Sequence, residues 1–369
     1  MKLGRNKKCW CGSGVKFKRC HEGREYEKPI SKGEVIDHDN NTSQREACYA
    51  PQELRSECSN IIKAHTISKS SGLTDLADST NHVLGLKQNL ANYTKNRGNP
   101  RFERIGVNKA STFKGFCAKH DKLLFSCFED RPFIATEEQC IALTYRAVAK
   151  EIYTKENALI TARFMKNMDR GKPLMYQVQF QEHIQLYELG VRTAIAELSV
   201  IKRNLDYKLL HRNHDPYNFL VIESSSPIPV AVSSIVNPVF DFKGNFLQDL
   251  SNLRMAPEYL AFNAFSSNHK GFVVFSWLRE SKIIDNFINS LLEISKRNIF
   301  GALIKFFFSS AENSFISPDW WNSLDAIQQN KIEELFIVGA DLFKDVPNNI
   351  LVDDSVKFTG WIAEKIYKV

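Results

Sequence analysis

Hydrophobic positions in the C-terminal part of the chain follow two different periods. Between residues 180 and 201, apolar side chains recur at steps of three and four, which predicts a helix of about seven turns. Thr136 has the residue type of an N-cap and precedes a second helical pattern. The same spacing returns near the C-terminus, where Ser317 and Pro318 fit a cap and a first helical position. Several helices are therefore expected in this part of the chain.

Strand-like segments lie between these helical patterns. They are short runs rich in β-branched and aromatic residues, namely "YNFLVIE", "IPVAVSSIV", "PVFDF", "YLAFNAF" and "GFVVFSWL". The last two are joined by "SSNHK", which predicts a hairpin. Short links between successive strands favour antiparallel pairing. We therefore predict an α+β fold, in which residues 136–369 form a helical and antiparallel-sheet domain whose function the pattern does not indicate.

The chain before residue 136 has a different character. Residues 26–45 contain few large apolar side chains, which is typical of a linker. Cysteine and histidine are concentrated on either side of it. The predicted order is a zinc-binding motif (1–25), the linker (26–45), a second, treble-clef-like zinc region (46–135) and the α+β domain.

Length and composition narrow the class of protein. The chain has 369 residues, enough for two or three domains with proper cores. It contains no apolar run of the roughly 18 residues that a membrane span needs, and "MKLGRNKKC" does not resemble an export signal. We expect a cytoplasmic protein with no membrane partner. In a reducing compartment, clustered cysteines more often bind metal than form disulfides.

Positive charge is concentrated at the N-terminus. The net charge is +7, with 49 Lys and Arg against 42 Asp and Glu. Residues 1–21 contain no acid, and the seven basic side chains there account for the whole excess: Lys2, Arg5, Lys7, Lys8, Lys16, Lys18 and Arg19. This basic arm is expected to bind nucleic acid, the ribosome or a protein partner. The alternative is a basic tail that only aids solubility.

Four metal-ligating residues lie within this basic arm. Their spacing gives two close ligands, a loop and two adjacent ligands: Cys9, Cys11, Cys20 and His21. Three thiolates and an imidazole suit tetrahedral zinc. Gly12 and Gly14 follow the second ligand, where the chain must turn around a thiolate and positive φ is useful. Because four protein ligands leave no open coordination position, a structural site is expected.

At these positions the sequence resembles the SEC-C motif, a short zinc-binding module found in many bacterial proteins. The matching residues are Gly4, Arg5, Asn6, Cys9, Cys11, Gly12, Ser13, Gly14, Lys16, Phe17, Lys18, Cys20 and His21. Lys7, Lys8 and Trp10 stand where the family commonly has Asp, Pro and Pro. The resemblance implies zinc and a docking surface, without an activity. The alternative is the same metal-binding motif without a partner, which only stabilises this end of the chain.

A second set of ligands is more widely spaced. Cys48 and Cys58 form one pair, and Cys117 and His120 form another. The second pair begins a helical pattern, so a treble-clef-like zinc site is predicted, with its last two ligands at the start of a helix. An accidental spacing without metal is the alternative. Two further cysteines, Cys127 and Cys140, are interpreted as small buried apolar residues.

Residues 48–130 also resemble the HNH and related ββα-metal endonucleases, through "IIKAHTISKSSGL" and "CAKHDKLL". The resemblance implies that His65 is a general base and that Mg²⁺ or Mn²⁺ stabilises the leaving oxygen. Ala64 stands where the family usually has a metal ligand. Missing ligands are sought among Asp75, Asp78, Asn81, His82 and Asn108.

Three hypotheses follow for function. The chain is a zinc-stabilised, metal-dependent nuclease, a non-catalytic zinc protein that binds a partner, or an RNA- or ribosome-associated factor that uses its basic arm without hydrolysis. The α+β domain contains no recognised nucleotide-binding or nucleophile motif that would choose among them. Four further histidines, scattered along the chain, are interpreted as ordinary side chains: His183, His211, His214 and His269.

Overall fold

The computed structural model describes residues 4–86, 101–211, 216–252, 254–340 and 346–369. Lys2 and His214 lie outside these ranges. The described α-helices are α1 (Lys32–Ser43), α2 (Thr74–Leu76), α3 (Ala118–Glu129), α4 (Glu137–Met165), α5 (Leu174–His211), α6 (Lys282–Leu292), α7 (Lys296–Ser310), α8 (Pro318–Ser323) and α9 (Ala326–Ala340). The described strands are β1 (Ile61–His65), β2 (His82–Leu86), β3 (Phe102–Gly106), β4 (Thr112–Cys117), β5 (Tyr217–Ser224), β6 (Val230–Val236), β7 (Leu260–Ser267), β8 (Lys270–Leu278), β9 (Ser314–Ile316) and β10 (Lys365–Lys368).

The strands form two antiparallel sheets. β1 pairs with β4, and the other eight strands are ordered β10-β5-β8-β7-β6-β9-β2-β3. Every pairing in the larger sheet is antiparallel. The predicted α+β class and antiparallel pairing are confirmed.

The main core lies between strands β5–β8 and helices α6 and α7. Every residue of β7 is buried, so both faces of this strand are covered, which explains its nearly continuous apolar sequence. Phe262 on β7 packs against two rings of α7, with centroid distances of 4.6 Å to Phe306 and 5.8 Å to Phe307. These aromatic contacts stabilise the packing of α7 on the sheet.

The predicted hairpin is confirmed as β7 and β8. Ser267 pairs with Lys270, and the two residues between them have positive φ, 48° at Asn268 and 62° at His269. Positive φ at both central positions is typical of a type I′ turn, whose twist matches that of the flanking strands. Asn tolerates this backbone, but His269 occupies it at a steric cost.

The predicted helices are also present, with different lengths. The Thr136 hydroxyl accepts a hydrogen bond from the Gln139 N–H at 3.3 Å, which confirms it as a cap of α4. α5 has 38 residues and is longer than the predicted 180–201, because it begins at Leu174 and continues to His211. Ser317 precedes α8 and Pro318 occupies its first turn, as predicted.

One strand prediction is wrong. "PVFDF" forms a loop, because the Asp241 carboxylate accepts hydrogen bonds at 2.8 Å from the N–H groups of Lys243 and Asn245, which turns the chain. β5 and β6 follow each other in sequence but are separated in the sheet by β7 and β8. The long connection between β6 and β7 returns the chain to this inner position.

The linker prediction also needs correction. Residues 32–43 form α1, which begins with a capping box. The Ser31 side chain accepts from the Glu34 N–H at 3.2 Å, and the Glu34 carboxylate accepts from the Ser31 N–H at 2.8 Å. These two bonds satisfy N–H groups that a helix otherwise leaves open at its start.

The described residues fall into two compact units. Unit 1 contains residues 4–45 and 152–200, and unit 2 contains the described residues of 46–151 and those after 200. The predicted boundary between 135 and 136 therefore lies inside unit 2. β2 illustrates the reason, since this strand from the predicted zinc region pairs with β9 of the α+β domain. None of the described helices is long and apolar enough to cross a membrane.

Candidate metal centres

The first candidate centre lies in residues 4–21, which we call the knuckle. A bridge between Lys8 and Lys16 brings the two halves of the knuckle together, and the Cys9 N–H donates to the Val15 carbonyl at 2.8 Å. Gly12 and Gly14 have φ of 71° and 73°, as the turn around the second thiol requires. A short 3₁₀ helix, Phe17–Arg19, then presents the last two ligands.

The four predicted donors of the knuckle meet at one point. Their ligand atoms all lie within 4.8 Å of one another. The His21 Nδ1 is 3.3 Å from the Cys9 Sγ and 3.2 Å from the Cys20 Sγ, and the Cys11 Sγ is 3.4 Å from the Cys20 Sγ. Tetrahedral zinc places such donors about 3.5–3.8 Å apart, so the donor set fits this ion with a slight expansion. The knuckle is therefore able to hold a metal ion, consistent with zinc.

The environment of the knuckle favours thiolate formation at one cysteine. Burial raises the pKa of the Cys11 thiol, but hydrogen bonds from His21 and Ser13 outweigh this effect and lower it to about 6. Burial raises the pKa of the Cys9 thiol to about 12. Since metal ions bind the thiolate, a bound cation would have to displace the proton of Cys9.

A buried carboxylate contacts the knuckle from a distant part of the sequence. The His21 Nε2 lies 3.0 Å from the Asp169 Oδ2, and both side chains are almost fully buried. Sequence reasoning missed Asp169 because 148 positions separate the two residues. No local spacing or motif marks this aspartate, which follows α4 in an otherwise ordinary polar turn.

The second candidate centre is built by three segments of unit 2, which contain Cys48, Cys58 and the stretch from Cys117 to His120. Cys58 follows the 3₁₀ helix Gln52–Glu57, and Cys117 ends β4 and is the N-cap of α3. His120 lies in the first turn of α3, as the sequence predicts. Pairing of Ile61 with Cys117 joins β1 to β4 next to this turn. Two of the ligands thus come from a strand end and the helix that directly follows it.

The donors of this second centre also converge. The His120 Nδ1 is 3.4 Å from the Cys48 Sγ, 3.6 Å from the Cys58 Sγ and 3.2 Å from the Cys117 Sγ. Cys117 and His120 are buried, Cys48 is half-buried and Cys58 is exposed. The distances again fit tetrahedral zinc. The four residues predicted from two separated pairs therefore form one cluster that is able to hold a metal ion.

A buried arginine supports the helix that carries His120. Arg146 is fully buried, bonds the Glu129 carboxylate at 2.7 Å and lies 3.8 Å above the Phe125 ring. It also contacts Asp121 at 3.4 Å. Burial raises the pKa of Asp121 to about 6, although the arginine charge opposes this rise. Asp121, in the first turn of α3, therefore contacts Arg146.

His65, the predicted general base, lies at the end of β1. Its Nε2–H donates to the Val107 carbonyl at 3.1 Å, and the ring is half-buried. Burial lowers the pKa of His65. Among the described residues, two groups of three or more His, Cys, Asp and Glu side chains are able to hold a metal, the two clusters above, and neither includes His65. His65 therefore does not join a ligand group of this kind in the described part of the chain.

The other sequence candidates have ordinary environments. Asp78 bonds Arg104 and Thr80, and the His82 ring bonds Thr80. Cys140 is buried, as predicted, and Cys127 is partly buried. The remaining described histidines join neither cluster: His38, His183, His211 and His269.

Comparison with known proteins supports one of the two resemblances. The family model of the SEC-C motif matches residues 5–23, which confirms the assignment made from residues 4–21. No curated protein and no solved structure matches the chain. The HNH resemblance of residues 48–130 has no support from these comparisons.

Proposed function

We propose that this chain is a non-catalytic zinc-binding protein that binds nucleic acid through its knuckle. The observation that carries the proposal is the charge of the knuckle surface. Five exposed basic side chains, which we call the basic surface, surround the four ligands: Lys7, Lys8, Lys16, Lys18 and Arg19. Arg5 is paired with Glu22, whereas the described residues supply no carboxylate partner for the basic surface. Such a surface attracts phosphates.

A structural role for both zinc ions follows from the ligand count. Each cluster offers four protein ligands, which fill a tetrahedral coordination sphere and leave no position for water or substrate. Metal at both sites would stabilise the fold. Metal in the knuckle would also position the basic surface. This reasoning favours a binding protein over an enzyme.

The nuclease hypothesis has one supporting feature, the order of β1, β4 and α3 with His65 on the first strand. An HNH-like mechanism needs Mg²⁺ or Mn²⁺ beside the general base, and His65 belongs to neither group of three or more His, Cys, Asp and Glu side chains among the described residues. We therefore place this hypothesis second.

Binding to a fluorescent single-stranded RNA, measured by anisotropy over a range of salt concentrations, tests the proposal. Replacing Lys7, Lys8, Lys16 and Lys18 with Gln should weaken binding and reduce the salt dependence. Each lost phosphate contact lowers the slope of log K against log salt by about 0.7, so four contacts correspond to about 3.

A control variant keeps the change in net charge equal. Replacing four exposed lysines of unit 2, Lys63, Lys69, Lys109 and Lys282, removes the same charge from the other unit. This control should bind nearly as wild type. The proposal fails if both variants weaken binding equally, or if wild-type protein does not bind RNA or DNA.

A further inference from the structure

Both carboxylate oxygens of Asp169, in the turn between α4 and α5, accept hydrogen bonds from side chains. Asp169 is fully buried and follows α4 by four residues. Its two carboxylate oxygens accept hydrogen bonds from three side chains: from His21 Nε2 at 3.0 Å, from Arg24 Nε at 2.6 Å and from Gln181 Nε2 at 2.8 Å. All four residues belong to unit 1. These three hydrogen bonds offset the free-energy cost of burying the Asp169 carboxylate.

The orientation of the His21 ring connects this carboxylate with the metal centre. The Nδ1 faces the sulfur atoms of Cys9 and Cys20, and the Nε2 faces Asp169. An ion at the centre of the four donors would bind the Nδ1 lone pair, so the ring must carry its proton on Nε2. That proton is the one that Asp169 accepts. A carboxylate in this position fixes the tautomer and orientation of a ligating histidine and raises its basicity.

The same carboxylate holds the knuckle against the turn after α4. Arg24 bonds the carbonyl of Lys166 at 2.9 Å in addition to Asp169, and Gln181 bonds that carbonyl at 2.7 Å. The Gly171 N–H donates to the Arg24 carbonyl at 3.0 Å. Gly171 has φ of 72°, and an added Cβ would lie 2.9 Å from the Glu27 carbonyl oxygen. The turn after α4 therefore lies close to the segment that follows the knuckle, residues 22–27, and polar contacts join the two.

We propose that Asp169 is a positioning residue of the knuckle metal centre and that it couples zinc binding to the order of the turn between α4 and α5. Zinc fixes the His21 ring, the ring fixes Asp169, and Asp169 holds Arg24 and Gln181. Because such coupling is reciprocal, disturbing Asp169 weakens zinc binding, and removing zinc loosens the turn. The inference needs metal at the knuckle but does not depend on nucleic-acid binding.

The test is a zinc competition titration of the full-length chain against a chromophoric chelator. Asp169→Asn keeps the side-chain shape but removes the charge. We expect it to weaken one zinc site by about 10- to 100-fold, the usual effect of losing such a partner. The affected site is identified as the one that Cys20→Ser abolishes, and the site abolished by Cys117→Ser should keep its affinity.

A matched control is Glu182→Gln, which removes one negative charge from an exposed position on α5. It should leave both affinities unchanged. Hydrogen exchange supplies a second readout, since removing zinc from the wild-type chain should accelerate exchange of amides 166–181. In Asp169→Asn this dependence on zinc should be reduced.

The proposal is overturned if Asp169→Asn binds zinc at the knuckle as tightly as wild type, if both sites weaken equally, or if the wild-type knuckle binds no zinc. It is also overturned if zinc removal leaves exchange at residues 166–181 unchanged. A general loss of packing would lower stability with and without zinc alike, so selective weakening of one site distinguishes positioning from packing.

Discussion

His65 and His120 lie in the same unit but have different environments. The His120 Nδ1 faces three sulfur atoms, whereas the His65 Nε2 donates to a backbone carbonyl. The side chain of His120 is 1 % exposed, so removing it would leave a buried gap among thiols. Under the proposed account, His65 is a half-buried structural residue and His120 is a metal ligand.

These roles predict different results for the two alanine variants. His120→Ala should lose one zinc ion per chain and destabilise unit 2. His65→Ala should keep its zinc and lose about 1 kcal/mol of stability, because it gives up one hydrogen bond to the Val107 carbonyl. Metal analysis and urea unfolding measure both effects. Metal-stimulated nucleic-acid cleavage that falls about 10²- to 10⁴-fold in His65→Ala would contradict the non-catalytic account.

At the scale of residues, residue type and spacing together decided which contacts could be predicted. The knuckle ligands lie within thirteen positions, so the local chain alone brings them together. Cys48 and His120 are 72 positions apart, and their meeting was predictable because cysteine and histidine have few other roles in such pairs. Asp169 has no such signal, because aspartate is common in turns and its contact with His21 depends on the packing of unit 1.

Helix α1 was not predicted, because hydrophobic periodicity does not indicate it. Val35 is its one buried residue, so the helix has no apolar stripe that repeats every three or four positions. Its polar sequence resembles a linker for the same reason. The available signal was local, since Ser31 and Glu34 have the spacing of a capping box. Capping therefore carries more information here than amphipathicity.

The capping box predicts a measurable effect. Ser31→Ala removes the acceptor for the Glu34 N–H and should destabilise α1 by about 1 kcal/mol. Hydrogen exchange of amides 35–43 measures this as roughly fivefold weaker protection. Ser43→Ala, at the last residue of the helix, is the matched control and should change stability by less than about 0.5 kcal/mol. Equal effects of both substitutions would show that the cap does not determine the stability of α1.

At the scale of the whole molecule, strand order and unit composition were not predictable from local patterns. β2 and β9 are separated by more than two hundred residues, yet they pair at Leu84 and Ile316. Both strands are short and partly apolar, and many alternative pairings satisfy the same pattern. The packing of the main core against the sheet selects the pairing of β2 with β9 from these alternatives. The hairpin of β7 and β8 was predictable because its turn and strands are adjacent.

The central claim is that two separate ligand clusters hold zinc. Elemental analysis of chain purified without chelator tests it most directly. We predict two zinc ions per chain in the wild type, one in Cys20→Ser and one in Cys117→Ser. The control Cys127→Ala, at a cysteine outside both clusters, should retain two. A wild-type content of one ion or none, or equal metal content in all four proteins, would contradict the account.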